Sequence, residues 1–372
     1  MKFSCEKALL QSAISVTSRA VSPKSSISAL EGILVQATDE LRLTGYNLST
    51  GIRTTVPADV SEGGNLVLSA HLFGDIIRRL PDDVVYITTN DLMVNIKCGM
   101  SEFNIMGTDP EEFPDLPLVE YEKTVELKRA TLRSMIIQTL FAVSTNESRP
   151  IHTGSLFEVT EEGTLTVVSV DGFRLALRRE QADKVTGKEK NFSFVVPSAA
   201  LSEVEKICGD SEETVTIVLG TRHVMFKAGG TMLVARRLEG EFLNYRQAIP
   251  AEYKIIMVTD KRAFQHCIER VSLIITEKQK SPIRCLFESD SMKIRVNTAL
   301  GDAKDQCAMS GDGGGLEIGF NNKYMLDALK AAPADTVNLC LNSGISPCII
   351  TPADGKDHFL YMVLPVRLRA GQ

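Results

Sequence analysis

The stretch "KSSISALEGILV" (residues 24–35) returns as "RPIHTGSLFEV" (149–159) and again as "KSPIRCLFES" (280–289). Each opens on a basic residue, passes through small residues or Pro to an Ile, and runs into a segment of strand character. Lys24, Arg149 and Lys280 stand 125 and 131 residues apart. A period of that length means that a whole domain is repeated, so the fold is read from one unit and checked in the other two.

The surroundings of the three stretches agree. Ahead of each lies a helical pattern: Leu9, Leu10, Ala13, Ile14 and Thr17; Leu132, Met135, Ile136 and Leu140; Phe264, Cys267, Ile268, Val271 and Ile275. Downstream, "LVLSAHLFGDIIRRL", "FVVPSAALSEVEKI" and "EIGFNNKYMLDALKAA" each read as a strand leading into a second helix, with Ser69, Pro197 and Asn321 at the helix start. Alternating strands follow in "VVYITTNDLMVNIKC", "TVTIVLGTRHVMFKA" and "TVNLCLNSGISPCII". The pattern predicts an α+β chain of three copies of one domain, near 1–120, 125–250 and 255–372, each with two helices and about eight strands in antiparallel sheets. Domains of one plan can pair edge to edge, so the sheets are expected to continue from one domain into the next.

Composition narrows the setting. The 372 residues are 44% hydrophobic and 24% charged, enough for sizeable cores. Glu6, Lys7, Gln11 and Ser12 interrupt the apolar start, and no run approaches the roughly 18 residues that span a bilayer, so a soluble, cytoplasmic protein with no membrane partner is expected. The eight cysteines are scattered without paired spacing and read as reduced, buried thiols. A net charge of -6 means that binding to a polyanion requires cations gathered on one face.

Reactive constellations are hard to find. "GDGGG" (311–315) and "AGGT" (228–231) lack the features of phosphate-binding loops and read as turns. "SCEK" (4–7) matches S-x-x-K without the companion motifs of acyl-serine enzymes. The five histidines are isolated from other ligands, and the paired acids of "EEFPD" and "DSEE" read as solvated turns. No catalytic residue, metal or cofactor is expected, and the chain reads as a non-enzyme.

Cations instead follow the helices. Lys7, Arg19, Arg78 and Arg79 fall in unit one, Lys128, Arg129, Arg133 and Lys206 in unit two, and Lys261, Arg262, Lys323 and Lys330 in unit three, with Lys24, Arg149 and Lys280 at the same post-helix place. Recurrence in register would gather them into one basic stripe. The chain has no Trp and no aromatic interleaving, which favours phosphate contact without base readout.

The three repeats, the "MKFSCE" start, "VDGFRLAL" (170–177), "EGEFLNYRQAIP" (239–250) and "YMVLPVRL" (361–368) together resemble the bacterial sliding clamp family, the beta subunit of the replicative DNA polymerase III holoenzyme. The resemblance covers essentially the whole chain. It implies a head-to-tail homodimer, a ring of six domains whose twelve helices surround double-stranded DNA. Twelve helices at about 10 Å spacing leave a hole of about 28 Å, whereas the six of one chain would leave only about 9 Å. The implied function is a processivity factor that tethers the replicative polymerase and recruits the clamp loader, other polymerases and repair proteins.

By the same resemblance, Lys24, Arg149, Arg78, Arg133, Lys206 and Lys280 are DNA-facing candidates. Phe103 and Ile105 would meet Ile274 and Ile275 of a second copy where the ring closes. A groove for short linear peptides would use His152, Gly172, Phe173, Arg174, Leu175, Leu243, Ala248, Ser346, Met362, Leu364, Pro365, Val366 and Arg367. Phe173 stands where the family often carries a ring with a polar tip, Leu243 where Pro is common, and Ala248 where a larger aliphatic is expected. Two other readings stay open: a repeat scaffold that binds only proteins, and an enzyme with an unrecognised site.

Overall fold

Each repeat builds its helices from the same local chemistry. In the computed structural model, which describes residues 1–276, 281–356 and 358–368, the six α-helices are α1 (Lys7–Thr17), α2 (Ala70–Arg79), α3 (Arg129–Leu140), α4 (Ser198–Cys208), α5 (Lys261–Val271) and α6 (Asn322–Ala331). α1 buries Leu10, Ala13, Ile14 and Thr17, one face at intervals of three and four. Leu9, which the sequence grouped with them, is one position round and 41% exposed. α5 repeats the face with Phe264, Cys267, Ile268 and Val271. Side-chain caps start the second helices: Ser69 accepts from Leu72 N in α2, and Asn321 accepts from Lys323 N and Tyr324 N in α6. Pro197 immediately precedes α4, where a missing N–H leaves no bond unmade.

The described residues form two compact units. The first holds residues 1–133, 182–190 and 199–237; the second holds 134–181, 191–198 and the described residues from 238 onward. The middle repeat is divided because its strands extend the sheets of its neighbours in sequence. In the first unit a nine-stranded antiparallel sheet is joined where Thr231–Arg236 pairs with Thr50–Val56, Thr231 opposite Thr54 with their hydroxyls 2.8 Å apart. In the second, a ten-stranded sheet is joined where Arg174–Gln181 pairs with Phe359–Val363. The edge-to-edge continuation expected from the repeat is therefore present at both joins.

Two edges matter later. Ser101–Met106 ends the five-stranded sheet of the first unit, and Ile283–Thr298 ends the ten-stranded sheet of the second. The latter pairs with Gly301–Phe320 in a long hairpin, so the third repeat has fewer, longer strands than the first. The "GDGGG" segment, expected as a turn, lies inside Gly301–Phe320. Gly311, Gly314 and Gly315 take positive φ there, and the register shifts on either side of the Ser289–Asp312 pair, so the strand bulges and continues. "AGGT" is the expected turn, with Gly229 at φ 58°.

The cores are apolar and dense. In the first unit Phe3, Leu10, Ile14, Ile33 and Phe73 belong to one cluster; in the second, Phe264, Phe287, Phe320, Phe359 and Tyr361 belong to another. Gly45 marks a close approach, since a Cβ there would lie 2.1 Å from the Thr17 carbonyl oxygen at the end of α1. Gly45→Ala is expected to lower stability by about 1–3 kcal/mol, because backbone has to move, read as a shift of the denaturation midpoint.

All eight cysteines are buried and free. Burial pushes the Cys5 thiol up to about 11 and those of Cys208 and Cys267 up to about 12. The folded chain should therefore resist thiol labelling at pH 8 and label fully in denaturant. Because these folded-state values are raised, the stability they carry is present below the ordinary thiol value of about 8.5 and is lost as pH rises toward 12.

Candidate functional site

The hairpin turn at 170–174 is built around Asp171. Its Oδ1 accepts from Phe173 N (2.9 Å) and Arg174 N (3.0 Å), closing a turn that Gly172 permits at φ 91°. Arg174 opens the next strand with its guanidinium drawn inward. Nε donates to Asp171 Oδ2 at 2.8 Å and Nη1 to Asp327 Oδ2 at 2.6 Å. The cation lies 4.5 Å from the centroid of the Tyr324 ring and 5.4 Å from that of Phe141. Arg174 is thus 9% exposed and neutralised, while Phe173 is 59% exposed and stacks on Tyr324 with ring centroids 6.3 Å apart. Tyr324 and Asp327 sit one turn apart on α6. No local motif points to them, because they lie about 150 residues from the hairpin.

Beneath the hairpin is an apolar floor. Val170, Leu175, Met362, Ile349, Leu360 and Tyr245 are buried together, with Phe242 and Leu364 packed against them. Leu175 and Met362 face each other across the strand join, so they form floor rather than rim. The carbonyl of Phe173 accepts from Leu364 N at 2.9 Å, and that of Gly319 from Val366 N at 2.8 Å, fixing the 362–367 segment. Phe173, Leu243, Ala248, Val366 and Arg367 are exposed; Leu364, Pro365 and Ser346 are half-buried. Ser346 is held by Ser343, whose hydroxyl is 2.7 Å from its own.

His152 packs edge-on against Phe242, ring centroids 5.3 Å apart, and its Nε2 is buried with no hydrogen-bond partner among the described residues. Burial and the nearby Arg149 hold this imidazole below its ordinary value, so it is neutral at pH 7. Tyr245 fixes the neighbouring loop: its hydroxyl donates to Glu158, which also takes two bonds from the Arg246 guanidinium at 2.8 and 3.1 Å. The residues proposed for the groove therefore come from five segments of the second unit around one apolar floor. What the arrangement offers is apolar surface and an aromatic face, suited to an extended peptide.

The helix-associated cations are not equivalent. Lys24 and Arg149 are exposed and form no ion pair among the described residues. Arg78 is paired with Asp75 at 3.2 Å and Lys206 with Glu203 at 2.8 Å, both still largely open to solvent. Arg133 is pinned between Glu205 (2.9 Å) and Asp210 (2.5 Å). Those acids correct the picture of a uniform stripe, since they cancel the charge of Arg133 locally. Lys280 lies outside the described residues.

Of the four candidates at the ring junction, Phe103 is 40% exposed on the edge strand Ser101–Met106. Ile105 is half-buried against the core of the first unit, and Ile274 and Ile275 against that of the second. The open apolar side chain of that second segment is Leu273, 84% exposed, because the single turn Ser272–Ile274 rotates it outward.

Three family models of the DNA polymerase III beta subunit match the chain, the N-terminal domain over 1–117, the central domain over 126–244 and the C-terminal domain over 246–367. A beta sliding clamp of Staphylococcus aureus is 34% identical over 379 residues, covering 99% of both chains. Among solved structures, the DNA polymerase sliding clamp of Bacillus subtilis matches at 29% identity and a TM-score of 0.93, covering 99% of this chain and 100% of that one. The DNA polymerase beta subunit of Streptococcus pyogenes matches at 28% identity and 0.93 over the same shares.

Proposed function

This chain belongs to the DNA polymerase III beta-subunit family of sliding clamps, and from that membership we propose that two copies close head to tail around duplex DNA. The family acts as DNA sliding clamps and processivity factors. The observation that carries the ring is two sheet edges that stand unpaired among the described residues and carry exposed apolar side chains, Ser101–Met106 with Phe103 in one unit and Ile283–Thr298 with Leu273 nearby in the other. A head-to-tail dimer pairs these unlike edges twice, leaving neither open, and a two-membered ring is closed. Each copy contributes three domains, near 1–120, 125–250 and 255–372, and the complete ring supplies twelve helices.

On this reading DNA is held by topology, with weak, sequence-independent phosphate contacts that permit sliding. Lys24 and Arg149 make the strongest contacts, being free of carboxylates; Arg78, Lys206 and Lys280 add to the field, and Arg133 contributes least. The groove around His152, Phe173 and Leu364 takes short linear peptides of the replicative polymerase, clamp loader, other polymerases and repair proteins in the cytoplasm. Arg174 supports that groove from below. No step of this role requires catalysis or a cofactor. Its test is retention on closed circular DNA with release on linearisation.

A further inference from the structure

We propose that the turn at 220–223, where Arg222, His223, Arg236 and Arg237 converge, binds a phosphate-type oxyanion. The turn is rigid: Gly220 N donates to the His223 carbonyl and Arg237 N to the Arg222 carbonyl, each at 3.0 Å. His223 stands directly opposite Arg236 across the strand pair. Arg237 Nη2 donates to the Thr221 carbonyl at 2.6 Å, while its Nε is buried without a hydrogen-bond partner among the described residues.

None of these three arginines pairs with a carboxylate among the described residues. Elsewhere in the same unit Arg129 is matched to Glu213 and Lys128 to Glu212, each at 2.8 Å. Beside the turn is a cavity of about 270 Å³ lined by Leu118, Val119, Glu120, Gly220, Thr221, Arg222 and His223, room for one tetrahedral anion with its water; Arg236 and Arg237 lie outside that lining, Arg236 on the strand opposite. Of the two acids nearby, Glu122 accepts from the Thr221 hydroxyl at 3.2 Å and Glu120 is exposed at the rim. His223 is held below its ordinary value by burial, and then by Arg236, Arg222 and Arg237, which lie close enough to act on the imidazole. Planar guanidiniums with no acidic partner match a phosphate. The phosphate can belong to a free anion or to the backbone of single-stranded nucleic acid, and the titration below reads the site whether or not a ring has closed.

The test uses the full chain with labelled histidines and follows the His223 imidazole by NMR during titration with inorganic phosphate, ionic strength held constant with chloride. A saturable shift is expected, with the His223 pKa rising because a bound anion favours the imidazolium. The double variant Arg222→Ala with Arg236→Ala, both exposed positions, should weaken binding at least tenfold. A second titration uses a 12-residue oligothymidylate. Competition with phosphate for the His223 signal assigns the site to a nucleic-acid backbone, and phosphate binding without competition assigns it to a free anion. No saturable shift with either probe, or equal affinity in the double variant, overturns the proposal.

Discussion

Leu273→Asp should convert the dimer into folded monomers and abolish retention on DNA circles. Leu273 is 84% exposed in the single chain, so a carboxylate there meets water and the subunit's unfolding curve is unchanged. In the proposed ring the same carboxylate is buried against an apolar edge at both junctions. At about 3 kcal/mol per junction the dimer dissociation constant rises roughly 10⁴-fold. Sedimentation at micromolar concentration reads the change. Phe103→Asp, on the opposing edge, should act in the same direction, whereas Ile274→Asp would also unfold its own subunit, because that side chain packs on the core.

Arg174→Ala carries the largest expected loss of stability. Removing the guanidinium leaves Asp171 and Asp327 facing an emptied, largely buried site, and breaking such a pair costs about 3–5 kcal/mol. The low end applies, because Asp327 keeps 28% exposure and Asp171 keeps its two backbone bonds. Adding Asp327→Ala should recover part of the loss, and a double-mutant cycle on denaturation midpoints would show coupling above about 1 kcal/mol. Additive effects would show that the bridge is not a working contact. In the single variant Phe173 also loses the cation that orders Tyr324 beneath it, so affinity for a partner peptide falls with stability.

The architecture was legible because its signals are local. The helical faces of α1 and α5 follow the 3.6-residue period, Ser69 and Asn321 cap where a cap was expected, and the recurring post-helix stretch gave the threefold plan. The division into units was foreseen only as a possibility of edge pairing; its registers, Thr231 with Thr54 and Leu175 with Met362, depend on contacts far apart in sequence. The misreading of "GDGGG" has a physical cause. Glycines at positive φ end strands in most settings, but here they let a paired strand bulge around Asp312 and go on.

The candidate site was less readable for the same reason. The family resemblance assigned Arg174 to a groove wall, and only the fold brings Asp327, 153 residues away, onto its guanidinium. Arg133 looked like any helix cation until Glu205 and Asp210 were seen beside it. At the edge of the second unit, the family resemblance marked Ile274 and Ile275, but exposure within one short turn singles out Leu273.

The most direct measurement loads the protein with its clamp loader onto nicked circular DNA, washes at high salt and then cuts the circle. High salt removes phosphate contacts but leaves a closed ring threaded. The account predicts that the protein stays through the wash and leaves once the DNA is linear. Loss from circular and linear DNA alike would contradict encirclement.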